Sequence, residues 1–242
     1  QMIYEIIVVD NNSSDNIQGI LKNKFDDEIS SGLIKFFQTG RNRGMGAGNN
    51  YGIKRAAGKY ILILNPDVVV LPQSIENLIE FMDQKTKAGL VAPKLLYPNR
   101  TSQQSRYLFP KFHLPLFIRT GFKKFTKKTL NAYTLADRPD DKPQIVDWVR
   151  GSAFLSTREF MLELGGFDER FFMYMEDIDL CRRIKQSGRE VWYIPHAEVI
   201  HYYSRDSKTS NNWLRDLTHK MAWVHIYSWL KYFWKWRLVE EK

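Results

Sequence analysis

KYILILNPDVVV, residues 59–70, is the stretch around which the fold is read. Four apolar residues, Ile61 to Leu64, run without a break and then meet Asn65-Pro66-Asp67. A short apolar run closed by turn residues reads as a strand buried on both faces. The Asp67 carboxylate then sits just past the carboxyl end of that strand. In open α/β sheets, ligands bind in the crevice outside this edge. An acid there is either a turn residue or a handler of metal and phosphate, and this stretch alone leaves both readings open.

Working outward, residues 3–9 (IYEIIVV) form a second buried-strand pattern that also ends in an acid, Asp10. The run 11–15 (NNSSD) supplies turn and cap residues before a helical pattern from Ile17 to Phe25. Residues 33–38 (LIKFFQ) read as the next strand. A Gly-rich segment, residues 40–50 (GRNRGMGAGNN), then enters a helix that ends near Ala57. Residues 73–87 place Ile75, Leu78, Ile79 and Met82 on one helix face. Strands alternating with helices predict an α/β fold whose parallel sheet has helical crossovers. The Gly-rich segment matches neither the dinucleotide fingerprint nor the P-loop. Its glycines allow close backbone approach to a ligand ahead of a helix N-terminus; equally, it reads as a flexible loop on a basic surface.

The 242 residues, 43% hydrophobic and 14% aromatic, suffice for one large domain or two small ones. Lys and Arg number 36 against 27 acids, a net charge of +9. That excess suits nucleic acid, an anionic membrane face or phosphorylated substrates. The single cysteine, Cys181, excludes an internal disulfide framework and permits a reducing cytosol. No signal peptide and no uninterrupted run of about 18 apolar residues is present, so no spanning helix is expected. The chain begins at Gln1 and enters a strand almost at once, as a fragment or a renumbered chain would.

Two later segments mix bases with aromatics. Residues 106–128 hold seven basic residues and no acid, interleaved with Phe109, Phe112, Phe117, Phe122 and Phe125. Such a pattern contacts a membrane surface or nucleic acid, or packs its Phe residues as a surface insertion. Beyond Asn211, Trp213, Trp223, Tyr227, Trp229, Tyr232, Trp234 and Trp236 accompany Lys220, Lys231 and Lys235 on a helical stretch. Those residues settle at a bilayer interface, and burial against the body is the competing reading. Between the two segments, residues 159–164 predict a short helix closed by Gly165-Gly166. Residues 190–194 and 197–202 predict two short strands, the second carrying His201. Ile178, Cys181 and Ile184 predict a helix starting near Glu176. Glu176 and Asp177 then fit its dipole, and beside an aromatic stretch they also have the surroundings of a general base.

Five stretches, in order from Val8 to His201, resemble a family 2 glycosyltransferase, and most closely its bacterial rhamnosyltransferase-like branch. They are VVDNNSSD (8–15), NRGMGAGNNYGI (42–53), YILILNPDVVV (60–70), GGFDERFFMYMEDIDLCRR (165–183) and His201. The resemblance implies a GT-A fold over residues 1–205, with 106–128 as an insertion and 206–242 as a C-terminal aromatic-rich helical segment. It implies a mostly parallel central sheet flanked by helices. It also assigns roles. Asp10 holds the nucleotide base, and Asn42, Gly44, Asn50, Asn65 and Arg183 belong to donor binding. Asp67 stands where the family carries its Asp-x-Asp motif, so with His201 it holds Mg2+ or Mn2+ against the diphosphate, the first acid being Asn65 here. Asp177, paired with Glu176, is the general base.

The implied reaction is inverting transfer of a sugar, rhamnose from dTDP-rhamnose, to a saccharide or lipid-linked acceptor of the cell envelope. The implied setting is cytoplasmic, peripheral on the inner face of the plasma membrane, with contact through residues 106–128 and 211–236. Nucleic acid is not an expected partner, and the oligomeric state stays open. One departure is that the family's opening strand and helix, which precede the strand matching residues 3–9, are missing. Two alternatives stand beside this reading: a sugar nucleotidyltransferase, and a non-catalytic basic binding module on a transferase scaffold.

Overall fold

The computed structural model describes residues 3–112, 123–202 and 220–237. The chain runs β1 (Ile6–Asp10), α1 (Ile17–Lys24), α2 (Asp26–Ser30), β2 (Ile34–Gln38), α3 (Met45–Ile53), β3 (Tyr60–Leu64), β4 (Val68–Val70) and α4 (Ser74–Gln84). It continues through β5 (Ala88–Leu96), β6 (Ser102–Gln103), β7 (Arg106–Tyr107), α5 (Lys123–Thr134), β8 (Gln144–Val146), β9 (Trp148–Val149) and β10 (Ala153–Thr157). The last elements are α6 (Arg158–Glu163), α7 (Glu176–Gln186), β11 (Glu190–His201) and α8 (Lys220–Trp236).

The central sheet has the order β3-β10-β5-β11-β4, with β6 added to β5 and β8 to β11. The expected α/β layering is present, in a sheet of mixed direction. β5 and β11 run parallel, β10 is antiparallel to β3 and β5, and β4 is antiparallel to β11. β4 and β10 both start from turns at the carboxyl edge of β3, so they run back across the sheet. β1 and β2 form a separate parallel pair.

Strand alternation feeds a core on each face. Ile61, Ile63, Leu90 and Phe154 enter the larger one, which α7 joins through Ile178, Cys181 and Ile184. Val91, Leu155 and Ile194 pack against Leu78, Phe81 and Met82 of α4 on the other face. Each such side chain contributes roughly 1.5–3 kcal/mol by leaving water. Leu64 marks the edge of this burial and is 40% exposed.

Several expectations need correction. Residues 3–9 are not a buried strand. Ile3 precedes β1 and is 99% exposed, Ile6 is 43% exposed, and Ile7 and Val9 pack towards Gly52 of α3. The two strands expected at 190–194 and 197–202 are one, β11, with a register shift between Ile194 and Glu198. Pro195 lies in that shift and has no N–H to give the ladder. Arg106 is not a surface cation. It is buried, donating to the carbonyls of Arg138 and Pro139 and to Gln144 Oε1. α8 buries Tyr232 and Trp236 in the larger core, as the competing reading of this stretch has it. Trp213 and residues 113–122 lie outside the described residues.

Candidate active site

One turn gathers the site. Residues 150–152 link β9 to β10, and β10 begins opposite the end of β3, Ala153 against Leu64. Gly151 N–H donates to Asp177 Oδ2 at 3.2 Å. Ser152 Oγ lies 3.2 Å from His201 Nε2, and the Ser152 carbonyl accepts Asn65 N–H at 2.9 Å. A Cβ on residue 151 would stand 3.2 Å from Asp177 Cβ, so glycine permits this close approach.

The first pole is Asp67 with His201. His201 ends β11 opposite Val68 of β4, and Tyr202 N–H donates to the Asp67 carbonyl at 2.8 Å. Asp67 Oδ2 is 3.4 Å from His201 Nε2. On the other side of the ring, Nδ1 is 2.6 Å from Oε1 of the buried Gln103. With that carbonyl as acceptor, Nδ1 carries the proton and Nε2 turns its lone pair towards Asp67. Burial lowers the His201 pKa below its ordinary value; Asp67 opposes this and Arg150 adds to it. The ring is therefore neutral at neutral pH. Asp67 Oδ1 is buried without a hydrogen-bond partner. A carboxylate and an imidazole lone pair thus converge, with the Ser152 hydroxyl beside them. This acceptor-rich pair fits a divalent cation whose other positions are filled by diphosphate and water oxygens. Among the described residues no group of three or more His, Cys, Asp or Glu side chains forms a metal cluster.

The second pole is the acid pair opening α7. Glu176 is buried and its Oε2 has no partner. Burial, and then the adjacent Asp177, push its pKa up to about 8. Burial also raises Asp177, opposed by the N–H groups of Gly151 and Ile178 and by Arg150. Ile178 N–H reaches Asp177 Oδ1 at 2.8 Å. The two acids titrate as a pair. Between them they hold a proton above the ordinary carboxylate range, burial being the largest cause for each. The Arg150 guanidinium acts on both poles at once and is tied to Tyr107 by a 3.1 Å bond to its hydroxyl.

A third group lies at the end of β1. Asp10 is buried, accepting from Ser13 N–H at 2.8 Å and from Gln38 Nε2 at 3.0 Å. These bonds, Ser13 first, hold its pKa below the usual value. Asn11 Nδ2 reaches Asn42 Oδ1 at 3.1 Å and the Gly44 carbonyl at 2.9 Å. Asn42 Oδ1 also accepts Gly44 N–H at 2.9 Å. Gly44 has φ +95°, and a Cβ there would stand 2.0 Å from the Phe172 carbonyl oxygen. That carbonyl accepts Met45 N–H at 3.0 Å, which joins the Gly-rich loop to the segment leading into Glu176.

Two residues expected at the donor are committed elsewhere. Asn50 is buried, and both of its amide hydrogens are engaged, one by the Phe167 carbonyl at 2.8 Å and one by Glu169 Oε1 at 3.1 Å. Its Oδ1 accepts Phe167 N–H at 2.8 Å. Arg183 donates to Asp179 Oδ2 at 2.9 Å and to the carbonyls of Leu164 and Gly166 at 3.0 and 2.6 Å. Both side chains hold the loop ahead of α7. Gln103, Arg150, Ser152 and Asn11 escaped the sequence reading as site residues. Arg150, which immediately precedes Gly151, is the one that charge and position could have revealed.

The model of the family described as Glycosyl transferase family 2 matches residues 1–137. The chain is 30% identical over 215 residues to the N-acetylglucosaminyl-diphospho-decaprenol L-rhamnosyltransferase of Mycobacterium tuberculosis, covering 81% of this chain and 66% of that protein. It is 28% identical over 214 residues to the rhamnosyltransferase WbbL of Escherichia coli, covering 85% and 75%. Its fold is similar to that of the crystal structure of GalNAc-T7 with UDP, GalNAc and Mn2+, with a TM-score of 0.63 at 20% identity over 86% of this chain and 39% of that one. It is also similar to the mannosyltransferase PcManGT from Pyrobaculum calidifontis in complex with GDP-Man and Mn2+, with a TM-score of 0.54 at 14% identity over 84% and 48%. The fold is that of the GT-A glycosyltransferases, and the chain belongs to glycosyl transferase family 2.

Proposed function

We propose that the protein transfers a sugar, rhamnose from dTDP-rhamnose, to a hydroxyl of a lipid-linked saccharide with inversion at the anomeric carbon. One observation carries this reading. The 150–152 turn joins a carboxylate–imidazole pair and a carboxylate with raised pKa at one sheet edge. Inverting transfer needs both functions. The acceptor oxygen forms a bond to the anomeric carbon while the bond to the diphosphate oxygen breaks on the opposite face. Asp177 takes the hydroxyl proton, and its raised pKa suits a base working near neutrality. Protonated Glu176 adds no second charge beside it. Arg150, whose charge acts on both Asp177 and His201, would add positive charge for the departing diphosphate. Asp67 and His201 would hold Mg2+ or Mn2+, which when bound supplies positive charge to the leaving diphosphate.

Asp10, Asn42 and Gly44 are assigned to the nucleotide side, and Asn65 to the turn that presents Asp67. Asn50 and Arg183 are assigned as struts for the loop ahead of α7. The rhamnosyltransferase names of the relatives support the donor sugar, and the diphospho-decaprenol acceptor of one supports a lipid-linked acceptor. An envelope role and a peripheral membrane position belong to the same proposal, supported by the lipid-linked acceptor in one relative's name; no helix of the described residues is long and apolar enough to cross a membrane.

The test is transfer from a panel of nucleotide sugars to an N-acetylglucosaminyl-diphospho-lipid, with Mn2+ or Mg2+, and NMR of the new linkage. The expected result is transfer from dTDP-rhamnose with inverted configuration, lost in Asp177→Asn by roughly 10²–10⁴-fold, with metal-dependent donor binding lost in Asp67→Ala. Retained activity in Asp177→Asn, or pyrophosphate release from a nucleoside triphosphate and a sugar phosphate, would overturn it.

A further inference from the structure

The outward face of α8 is apolar where a water-facing helix would be charged. Trp223, Tyr227, Leu230 and Trp234 are 59%, 61%, 49% and 69% exposed. Their spacing of four, three and four residues puts them on one stripe, opposite the buried Tyr232. We propose that this stripe is a docking surface for an anionic phospholipid bilayer. The proposal deepens the reading given under Proposed function, because a lipid-linked acceptor reaches the enzyme from a bilayer.

Three further observations point to lipid. The first is the cations seated on the stripe. Lys231 Nζ lies 4.3 Å from the centroid of the Tyr227 ring, and the Arg237 guanidinium 3.7 Å from that of Trp234. Neither forms an ion pair among the described residues. Each basic residue held near an anionic surface adds about 1 kcal/mol of attraction, and the net charge of +9 has the same sign. The second is a cavity of about 450 Å³ beside the stripe, walled by Phe171, Leu230 and Trp234. Lys231 is its cation without a carboxylate partner among the described residues, Arg170 and Lys235 being paired with Asp168. An apolar cleft with a basic rim suits the start of a lipid's hydrocarbon beneath its headgroup. The third is Phe112, 53% exposed, which stacks on Trp229 at 4.5 Å and adds a further exposed aromatic beside the helix.

A second copy of the chain fits this face less well. A helix–helix seam selects Leu and Ile, whereas Trp and Tyr carry polar groups that a dry seam would leave unpaired. A twofold axis would also bring like cations together. At a bilayer interface the same residues keep their polar groups wet and their rings in the headgroup layer.

The surface is coupled to the site from behind. Ser228 Oγ donates to the Met173 carbonyl at 2.8 Å, and Lys231 Nζ to the Arg170 carbonyl at 2.7 Å. The segment so held runs directly into Glu176. Docking α8 on a membrane therefore sets the acid pair at a defined place relative to lipid-borne acceptors.

The test is sedimentation of the full chain with vesicles of phosphatidylcholine alone and of equimolar phosphatidylcholine and phosphatidylglycerol, at low and high salt, alongside light scattering for mass. Expected are a monomer that binds the anionic vesicles in a salt-sensitive manner, and binding at least about tenfold weaker in Trp223→Ser/Trp234→Ser and in Arg237→Glu. Arg237→Glu leaves every buried contact of α8 in place, so it decides the matter if the double variant fails to fold. Equal binding by wild type and Arg237→Glu, no binding to anionic vesicles, or a dimer that the substitutions dissociate would each overturn the proposal. Vesicle binding requires neither donor nor acceptor. Transfer to a water-soluble acceptor without vesicle binding would sink the surface and leave the proposed reaction standing, and binding without transfer would do the reverse.

Discussion

His201 shows how much of this site is set by residues that do not face the substrate. Its Nε2 serves as an acceptor beside Asp67 only while Nδ1 donates to Gln103 Oε1, 2.6 Å away. Gln103→Leu removes that acceptor and frees the ring to take the other tautomer. The expected outcome is about a 10–100-fold loss in Mn2+ affinity by titration calorimetry, with a ¹⁵N spectrum of His201 showing the proton moved to Nε2. Unchanged affinity would make Gln103 a packing residue. Gln103 could not be read from the chain, whereas Asp67, Asp177 and His201 stood out as candidates. The two acids each had a bland reading, as a turn residue or a helix-dipole partner, and the motif resemblance singled them out; a Gln in a two-residue strand gains its meaning only from the register that sets Leu95 against it. Arg183 is the opposite case. The resemblance placed it at the donor, whereas in the structure Asp179, one helical turn behind it, takes its charge.

Glu176 carries a second prediction at this scale. It holds its proton in the folded state up to about pH 8, while in the unfolded chain the proton leaves near the ordinary value of 4.5. Between those values the folded state binds more protons, so stability falls as pH rises through the window. Glu176→Gln mimics the protonated form and removes that dependence. Its melting temperature is expected to exceed that of wild type at pH 8 by at least about 2–4 °C and to match it near pH 4.5. Scanning calorimetry at the two pH values checks this, and an equal offset at both would show that Glu176 is ionised throughout.

At the scale of elements, the alternation of strands and helices was legible because burial imposes periodicity. Strand direction and continuity were less so. Residues 190–201 read as two strands because Pro195 interrupts the pattern, and only the partner strand β5 shows that the chain continues. The link between the Gly-rich loop and α7 is likewise a tertiary fact. Gly44 has a positive φ, and its missing Cβ leaves room for the Phe172 carbonyl. Gly32 has φ +79° with nothing within 4 Å of the position a Cβ would take, so it separates backbone strain from crowding. Gly32→Ala should cost about 1–2 kcal/mol from φ alone. Gly44→Ala should cost more, by over about 1 kcal/mol, and should also weaken donor binding. Urea unfolding of the two variants and a donor titration measure both effects. Equal costs would mean that the Phe172 segment moves aside freely and does not couple the loop to the acid pair.

The molecule as a whole closes through its C-terminal helix, and the ion network that fixes it belongs to no single element. Asp179 of α7 is fully buried, with Oδ1 accepting from Lys235 Nζ at 2.6 Å and Trp236 Nε1 at 2.9 Å, and Oδ2 accepting from Arg183. Lys235 also reaches Asp168 Oδ2 at 2.8 Å, where Arg170 binds as well. Burial alone would raise the Asp168 pKa, but the bonds from Arg170 and Lys235 overcome it and hold the carboxyl well below its usual range. Removing one partner of a buried pair leaves an uncompensated charge, which costs about 3–5 kcal/mol. Lys235→Met keeps the length and apolar body of the side chain and deletes only the charge. The variant is expected to lose about 3 kcal/mol at pH 7 by urea unfolding and to open the segment around residues 168–175 to hydrogen exchange. The sign of the pH dependence follows from the depressed Asp168. Its contribution is complete above the ordinary value of 3.8 and is lost as pH falls below it. The gap between wild type and Lys235→Met should therefore narrow in acid. A gap that stayed constant down to pH 3 would mean that Lys235 acts through packing on Phe171 and Trp236, whose rings it approaches at 5.9 and 5.1 Å, and that α8 is held by its apolar face alone.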